Sequence, residues 1–107
     1  MADTNIVKQA SLTAATPADL YTVPGATSAT VSSICICNRG TAATFRVSIA
    51  VAGAVTANDQ YLFYDTAVEA NETYIATIGI TLNATDKVRV YASTSNITAM
   101  LFGSERT

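Results

Sequence analysis

The 107-residue chain contains no histidine and no tryptophan. Without an imidazole, Ser-His-Asp and Cys-His catalysis are excluded, and so are most zinc sites. The five glycines are scattered, so the sequence holds no glycine loop of the kind that cradles phosphate. No apolar run approaches the roughly 20 residues needed to span a bilayer. The stretch Met1 to Ala10 has neither the basic n-region nor the apolar h-region of a signal peptide. These absences predict a soluble protein with no membrane partner and no visible export signal.

Charge is the scarcest property. Only 13% of residues are Asp, Glu, Lys or Arg, against roughly 25% in an ordinary soluble domain. The surface is therefore built mostly from Thr, Ser, Asn and Ala. A free monomer usually keeps itself soluble with a charged exterior, whereas a subunit that lives against neighbours is better off without charges stranded in contacts. The balance favours an assembly component and a homo-oligomer. A net charge of −2 with no Lys/Arg cluster removes the attraction that nucleic-acid binders depend on.

Two cysteines are present, Cys35 and Cys37, two apart in what reads as a strand. They share a face about 6.5 Å apart, the far end of disulfide geometry. The pair reads as two reduced, half-buried thiols, which suits synthesis in a reducing cytoplasm. One Cys-x-Cys without further ligands is too little for zinc, and no cofactor is called for.

What remains is alternation. From Thr44 to Val51, the residues Phe45, Val47, Ile49 and Val51 face one way and Thr44, Arg46, Ser48 and Ala50 the other. Asp86 to Ala92 behaves alike, with Val88, Val90 and Ala92 opposed to Lys87, Arg89 and Tyr91. Further segments rich in β-branched and aromatic residues are Asn5–Leu12, Leu20–Val23, Ala29–Cys37, Tyr61–Val68, Thr73–Leu82 and Asn96–Phe102. That makes about eight strands. Val31 is out of phase with Ile34 and Ile36, so Ser32-Ser33 is a candidate bulge, and Gly79 marks a second irregularity. Turn residues separate the segments, as in Pro24-Gly25, Asn38-Arg39-Gly40 and Asn83-Ala84-Thr85-Asp86. Only Thr13 to Ala18 could attempt a helical turn. The predicted fold is all-β: a two-sheet antiparallel sandwich, jelly-roll-like, of about eight strands. Residues 1–18 are read as an N-terminal arm and first strand, and 19–107 as a single sandwich domain. The arm is expected to be held by a neighbour's sheet edge or by its own domain.

Candidate chemistry is sparse. Asp65 with Glu69 or Glu72 is the nearest approach to a carboxylate pair, but Asp65 is better read as terminating the Tyr61–Tyr64 strand. The sequons at Asn71, Asn83 and Asn96 are those expected by chance in a chain rich in Thr and Asn. The aromatic run Tyr61-Leu62-Phe63-Tyr64, with Tyr74 and Tyr91, offers the one binding surface legible in the sequence. The competing expectation is that Leu62 or Phe63 fills the core while the tyrosines cap its rim.

The phrases Leu20-Tyr21-Thr22-Val23-Pro24, Ile36-Cys37-Asn38-Arg39-Gly40 and Ala43-Thr44-Phe45-Arg46-Val47-Ser48-Ile49 resemble small virion proteins of tailed bacteriophages. Tyr61-Leu62-Phe63-Tyr64-Asp65, Gly79-Ile80-Thr81-Leu82, Asp86-Lys87-Val88-Arg89-Val90-Tyr91-Ala92 and Leu101-Phe102-Gly103 extend the resemblance over nearly the whole chain from Leu20 onward. It rests on strand phrases and carries no catalytic motif. It implies a non-enzymatic subunit present in many copies: a capsid decoration (cement) protein, or a small tail, baseplate or fibre component. Its partners would be the major capsid protein or tail and baseplate proteins. It would reside in the virion after synthesis in the bacterial host cytoplasm. A monomeric carbohydrate-binding module is the third class and needs an exposed aromatic platform. The expected contact residues are Asn5, Ile6 and Val7 of the arm, Arg39 and Arg46 as outward-pointing cations, and Tyr61 and Tyr64.

Overall fold

Alternating apolar and polar residues form strands because successive side chains leave a strand on opposite faces, and burying one face needs a second sheet. The computed structural model describes residues 3–107. It contains β1 (Asp3–Ser11), β2 (Ala18–Thr22), β3 (Ser28–Asn38), β4 (Ala43–Ala50), β5 (Tyr61–Val68), β6 (Thr73–Leu82), β7 (Lys87–Ala92) and β8 (Ile97–Arg106). One sheet has the order β1-β8-β3-β6 and the other β2-β7-β4-β5, with every pairing antiparallel. The pairs β4–β5, β3–β6, β2–β7 and β1–β8 nest around one central hairpin. The topology is therefore an eight-stranded jelly roll, as the sequence pattern predicted.

The core lies between the sheets. Val31, Ile34, Ile36 and Leu101 of the first sheet face Phe45, Val47, Val88 and Val90 of the second, all with 1% exposure or less. Phe45, Phe63 and Tyr74 meet at ring-centroid distances of 5.2 to 5.8 Å. Phe63 and Tyr74 thus belong to the packed interior, and the aromatic run divides between core and surface.

Both predicted irregularities are present. The register of β3 shifts between Val31 and Ser33 against both neighbours. Opposite, Gly79 adopts φ 57°, a conformation that costs other residues about 1–2 kcal/mol. Asp65 does not end its strand: β5 continues to Val68, and Asp65 (φ 49°) sits inside it at a second left-handed bulge. Within the stretch Thr13–Ala18 there is no helix: Thr13–Thr16 forms a tight turn with Ala15 at φ 53°, and Ala18 already begins β2. Two short 3-10 turns, at Val51–Gly53 and Asn58–Gln60, lie in the β4–β5 loop, where sequence pattern gave no helical period.

Met1 and Ala2 of the expected arm lie outside the described residues. From Asp3 onward the segment is the edge strand of its own sheet, in unbroken register with β8 over nine residues. On the outer face of this sheet, Val7, Phe102, Ser33 and Thr77 form one row. Gln9, Met100, Cys35 and Ile75 form the next, and Ser11, Thr98, Cys37 and Thr73 a third. None of these side chains is charged.

Candidate contact surface

The β4–β7 register places Arg46 directly opposite Tyr91 on the outer face of the second sheet. Across β4 on the other side, the Asp65 bulge delivers both Tyr64 and the Asp65 carboxylate to Arg46. Arg46 Nε donates to Asp65 Oδ1 at 2.6 Å and its terminal nitrogen to Oδ2 at 3.3 Å. The guanidinium lies 4.3 Å from the Tyr64 ring centroid and 4.4 Å from that of Tyr91, sandwiched between two aromatic faces. Tyr61 meets Tyr64 edge-on at 4.8 Å and 79°. The hydrogen bond to Asp65 raises the basicity of Arg46 further, so the cation is permanent. Tyr64 remains 57% exposed. A shallow concavity opens between Asn58, Tyr61 and Tyr64.

Beside this stack a second set of charges pins the β4–β5 loop. Arg89 Nε donates to Asp19 Oδ1 at 2.9 Å, and its other nitrogens reach the carbonyls of Ala54 (2.5 Å) and Gly53 (3.3 Å). Lys87 Nζ donates to Asp19 Oδ2 at 3.0 Å. The hydrogen bond from Lys87, with that from Arg89, holds the Asp19 carboxyl below its ordinary range. The predicted outer face of β4 is consequently not all open: Ser48 and Ala50 are buried, and Ser48 lies in the cleft lined by Arg89, Tyr61 and Tyr91. Val51, predicted to continue the inward face, lies beyond the strand and is 68% exposed. Val55 in the same loop is 87% exposed. The sequence reading passed over this loop; an apolar stretch between two strands, Val51 to Ala57, was the available signal.

Of the seven expected contact residues, the fold brings Arg46, Tyr61 and Tyr64 together. Asn5 and Val7 lie on the other sheet, exposed on β1. Ile6 is a correction. Its side chain points between the sheets, opposite Gly103 and Val31, and is buried because odd and even positions of a strand cannot share a face. Arg39 is exposed and apart from the tyrosines; it donates to Thr98 Oγ1 at 3.1 Å and Ser11 Oγ at 3.4 Å, at the end of the first sheet. Asp65 is occupied by Arg46, while Glu69 and Glu72 are exposed in the β5–β6 turn. Among the described residues, no three of Cys, Asp and Glu converge as a metal site would require. No helix among the described residues is long and apolar enough to cross a membrane.

No family model matches the chain, and no curated protein matches it. Among solved structures it is similar to a pentameric capsid protein isolated from metagenomic phage sequences, at 14% identity and a TM-score of 0.45. The match covers 96% of this chain and 61% of that one, so the chain spans less than two thirds of the other protein's length.

Proposed function

We propose that this chain is a non-enzymatic structural subunit of a tailed-phage virion, a capsid decoration protein that docks between capsid subunits. The observation that carries the reading is the Tyr61–Tyr64–Arg46–Tyr91 surface. Tyrosine and arginine are the side chains enriched at protein contacts, and here they are locked together before any partner arrives, so little conformational entropy is lost on docking. The exposed Val51 and Val55 lie in the loop that Arg89 holds beside this surface. Eight-stranded jelly rolls serve in viral capsids and in lectins alike, so the fold is compatible with the assignment and does not make it. The two thiols and the low charge suit a subunit made in the host cytoplasm and then packed against neighbours.

The test is co-sedimentation with phage heads stripped of accessory proteins. The wild-type chain binds them and raises their resistance to heat, and the double substitution Tyr61→Ala with Tyr64→Ala removes binding while the fold persists. A chain that ignores heads under all conditions refutes the decoration role. A second reading rests on Tyr64, whose exposed ring beside Asn58 offers a sugar both a stacking face and an amide. Binding to tails or to host polysaccharide, abolished by the same substitutions, moves the protein to the baseplate or fibre.

A further inference from the structure

We propose that the outer face of the first sheet is a self-association surface on which a second copy of this chain packs back to back. The dimer goes beyond the virion reading and stands without it, because its partner is the chain itself.

The three central rows of this face carry no charge, and apolar side chains run across them from the edge strand β1 to the edge strand β6. Val7 is 54% and Ile75 63% exposed, and Met100, Phe102, Cys35 and Cys37 are half-buried. Fourteen ionisable Asp, Glu, Lys and Arg residues occur in the chain, yet the nearest to these rows stand only at the rims. The Asp3–Arg106 pair (3.1 Å) closes one end and Arg39 the other. A solvated sheet face normally carries charge in proportion, whereas depletion of charge at the centre of a patch is the mark of an interface core. Counting the rims, the four strands offer about 30 Å by about 19 Å, a footprint of about 570 Å² per copy. Two copies bury about 1,100 Å², which clears the roughly 1,000 Å² expected of a specific contact.

The partner's identity follows from charge. The charge-free centre of the face meets its own copy with no like-charge contact and no desolvated ion there, as an isologous pair requires. The rims then select the orientation. A two-fold axis parallel to the strands sets Arg39 against Arg39 of the second copy. An axis across the strands, along the Gln9–Met100–Cys35–Ile75 row, sets Arg39 of each copy over the uncharged Asn5–Ser104–Thr30–Thr81 row of the other, one row short of its neutral Asp3–Arg106 pair. Only the second avoids repulsion. It places Cys35 opposite Cys35 and Ile75 opposite Ile75, while Cys37 and its twin are displaced in opposite directions along the strands.

Analytical ultracentrifugation with the full chain tests this. The wild-type protein forms a concentration-dependent dimer, and Ile75→Arg, which sets two arginines face to face, weakens it by about tenfold or more. Mixing the Ile75→Arg and Ile75→Glu variants restores a heterodimer that neither forms alone. A short bismaleimide links the wild-type pair through Cys35: Cys37→Ser retains the product and Cys35→Ser loses it. This arm needs no change at Ile75 and decides the matter should that variant fail to fold. A chain that stays monomeric to millimolar concentration overturns the proposal even if it binds stripped heads. So does a dimer indifferent to Ile75→Arg, or one that cross-links through Cys37 in preference to Cys35.

Discussion

At the end of β3 the Asn38 side chain is 1% exposed and donates to three carbonyls, those of Thr41 (2.7 Å), Val68 and Glu69 (3.2 Å each). Its own oxygen accepts from Gly40 N–H at 3.0 Å. One amide therefore ties the β3–β4 turn to the end of β5. Asn38→Ala leaves these groups buried and unpaired, and we expect it to lower stability by about 2–3 kcal/mol in urea denaturation. Asn38→Asp is expected to be at least as damaging, since a carboxylate oxygen replaces the donor facing three carbonyl oxygens. Tyr21 gives a different signature. Its hydroxyl donates to Glu105 Oε2, and burial, reinforced by that carboxylate, holds the phenol far above its ordinary value near 10. The folded chain keeps this proton to higher pH than the unfolded chain does. The stabilisation is thus complete below pH 10 and falls above it, by about 1.4 kcal/mol per pH unit. The difference between wild type and Tyr21→Phe, measured from pH 8 to 11, isolates this group; a difference that stays flat above pH 10 refutes the assignment.

At the level of elements, all eight strands were legible because each keeps a two-residue period over at least a few positions. Two of them, Tyr61–Val68 and Thr73–Leu82, have the boundaries read from the sequence. The Ser32 bulge was visible as a phase slip and Gly79 as the one glycine inside a strand pattern. The Asp65 bulge was not, since Asp is a turn residue as often as a bulge residue and the adjoining Tyr64 broke the alternation. That one misreading hid how the expected Arg46, Tyr61 and Tyr64 are joined, because only a bulge lets Tyr64 and Asp65 both reach Arg46. Burial of Ser48 and Ala50 was also hidden: Ser48 lies in a cleft with Arg89, Tyr61 and Tyr91, and Arg89 ties down the loop that follows Ala50, contacts that no local alternation contains. These irregular strands also protect the sheets. β5 and β6 are edge strands, and a left-handed residue in each disturbs the row of free N–H and C=O groups that would recruit another chain. Gly79 has open space around it, so Gly79→Ala meets no clash and is charged only for its backbone. We expect about 1–2 kcal/mol of destabilisation, less for Gly79→Asn, which tolerates the left-handed region. Gly103 is the contrast: a Cβ there would stand 2.1 Å from the Thr30 carbonyl oxygen, so Gly103→Ala is expected to cost more than Gly79→Ala in the same melt.

Over the whole molecule, charge is sorted by sheet. Asp19, Arg46, Asp65, Lys87 and Arg89 gather around the outer face of the second sheet in two connected sets, while the middle of the first sheet's outer face has none. A jelly roll exposes two broad faces, and this one gives them opposite physical characters: a polar aromatic surface and a bland apolar one. The two proposed contacts should therefore part under ionic strength. Salt screens exposed charges within about 10 Å at 0.1 M but leaves apolar burial intact or strengthens it. Raising salt from low to high is expected to leave the dimer constant within about twofold while altering attachment to heads, where Arg46 and the Asp19 network border the contact. The measurement is the dimer dissociation constant and the bound fraction on stripped heads across one salt series. A dimer that weakens steeply with salt places self-association on the charged sheet instead, and makes the tyrosine surface, not Ile75 and Cys35, the contact between copies.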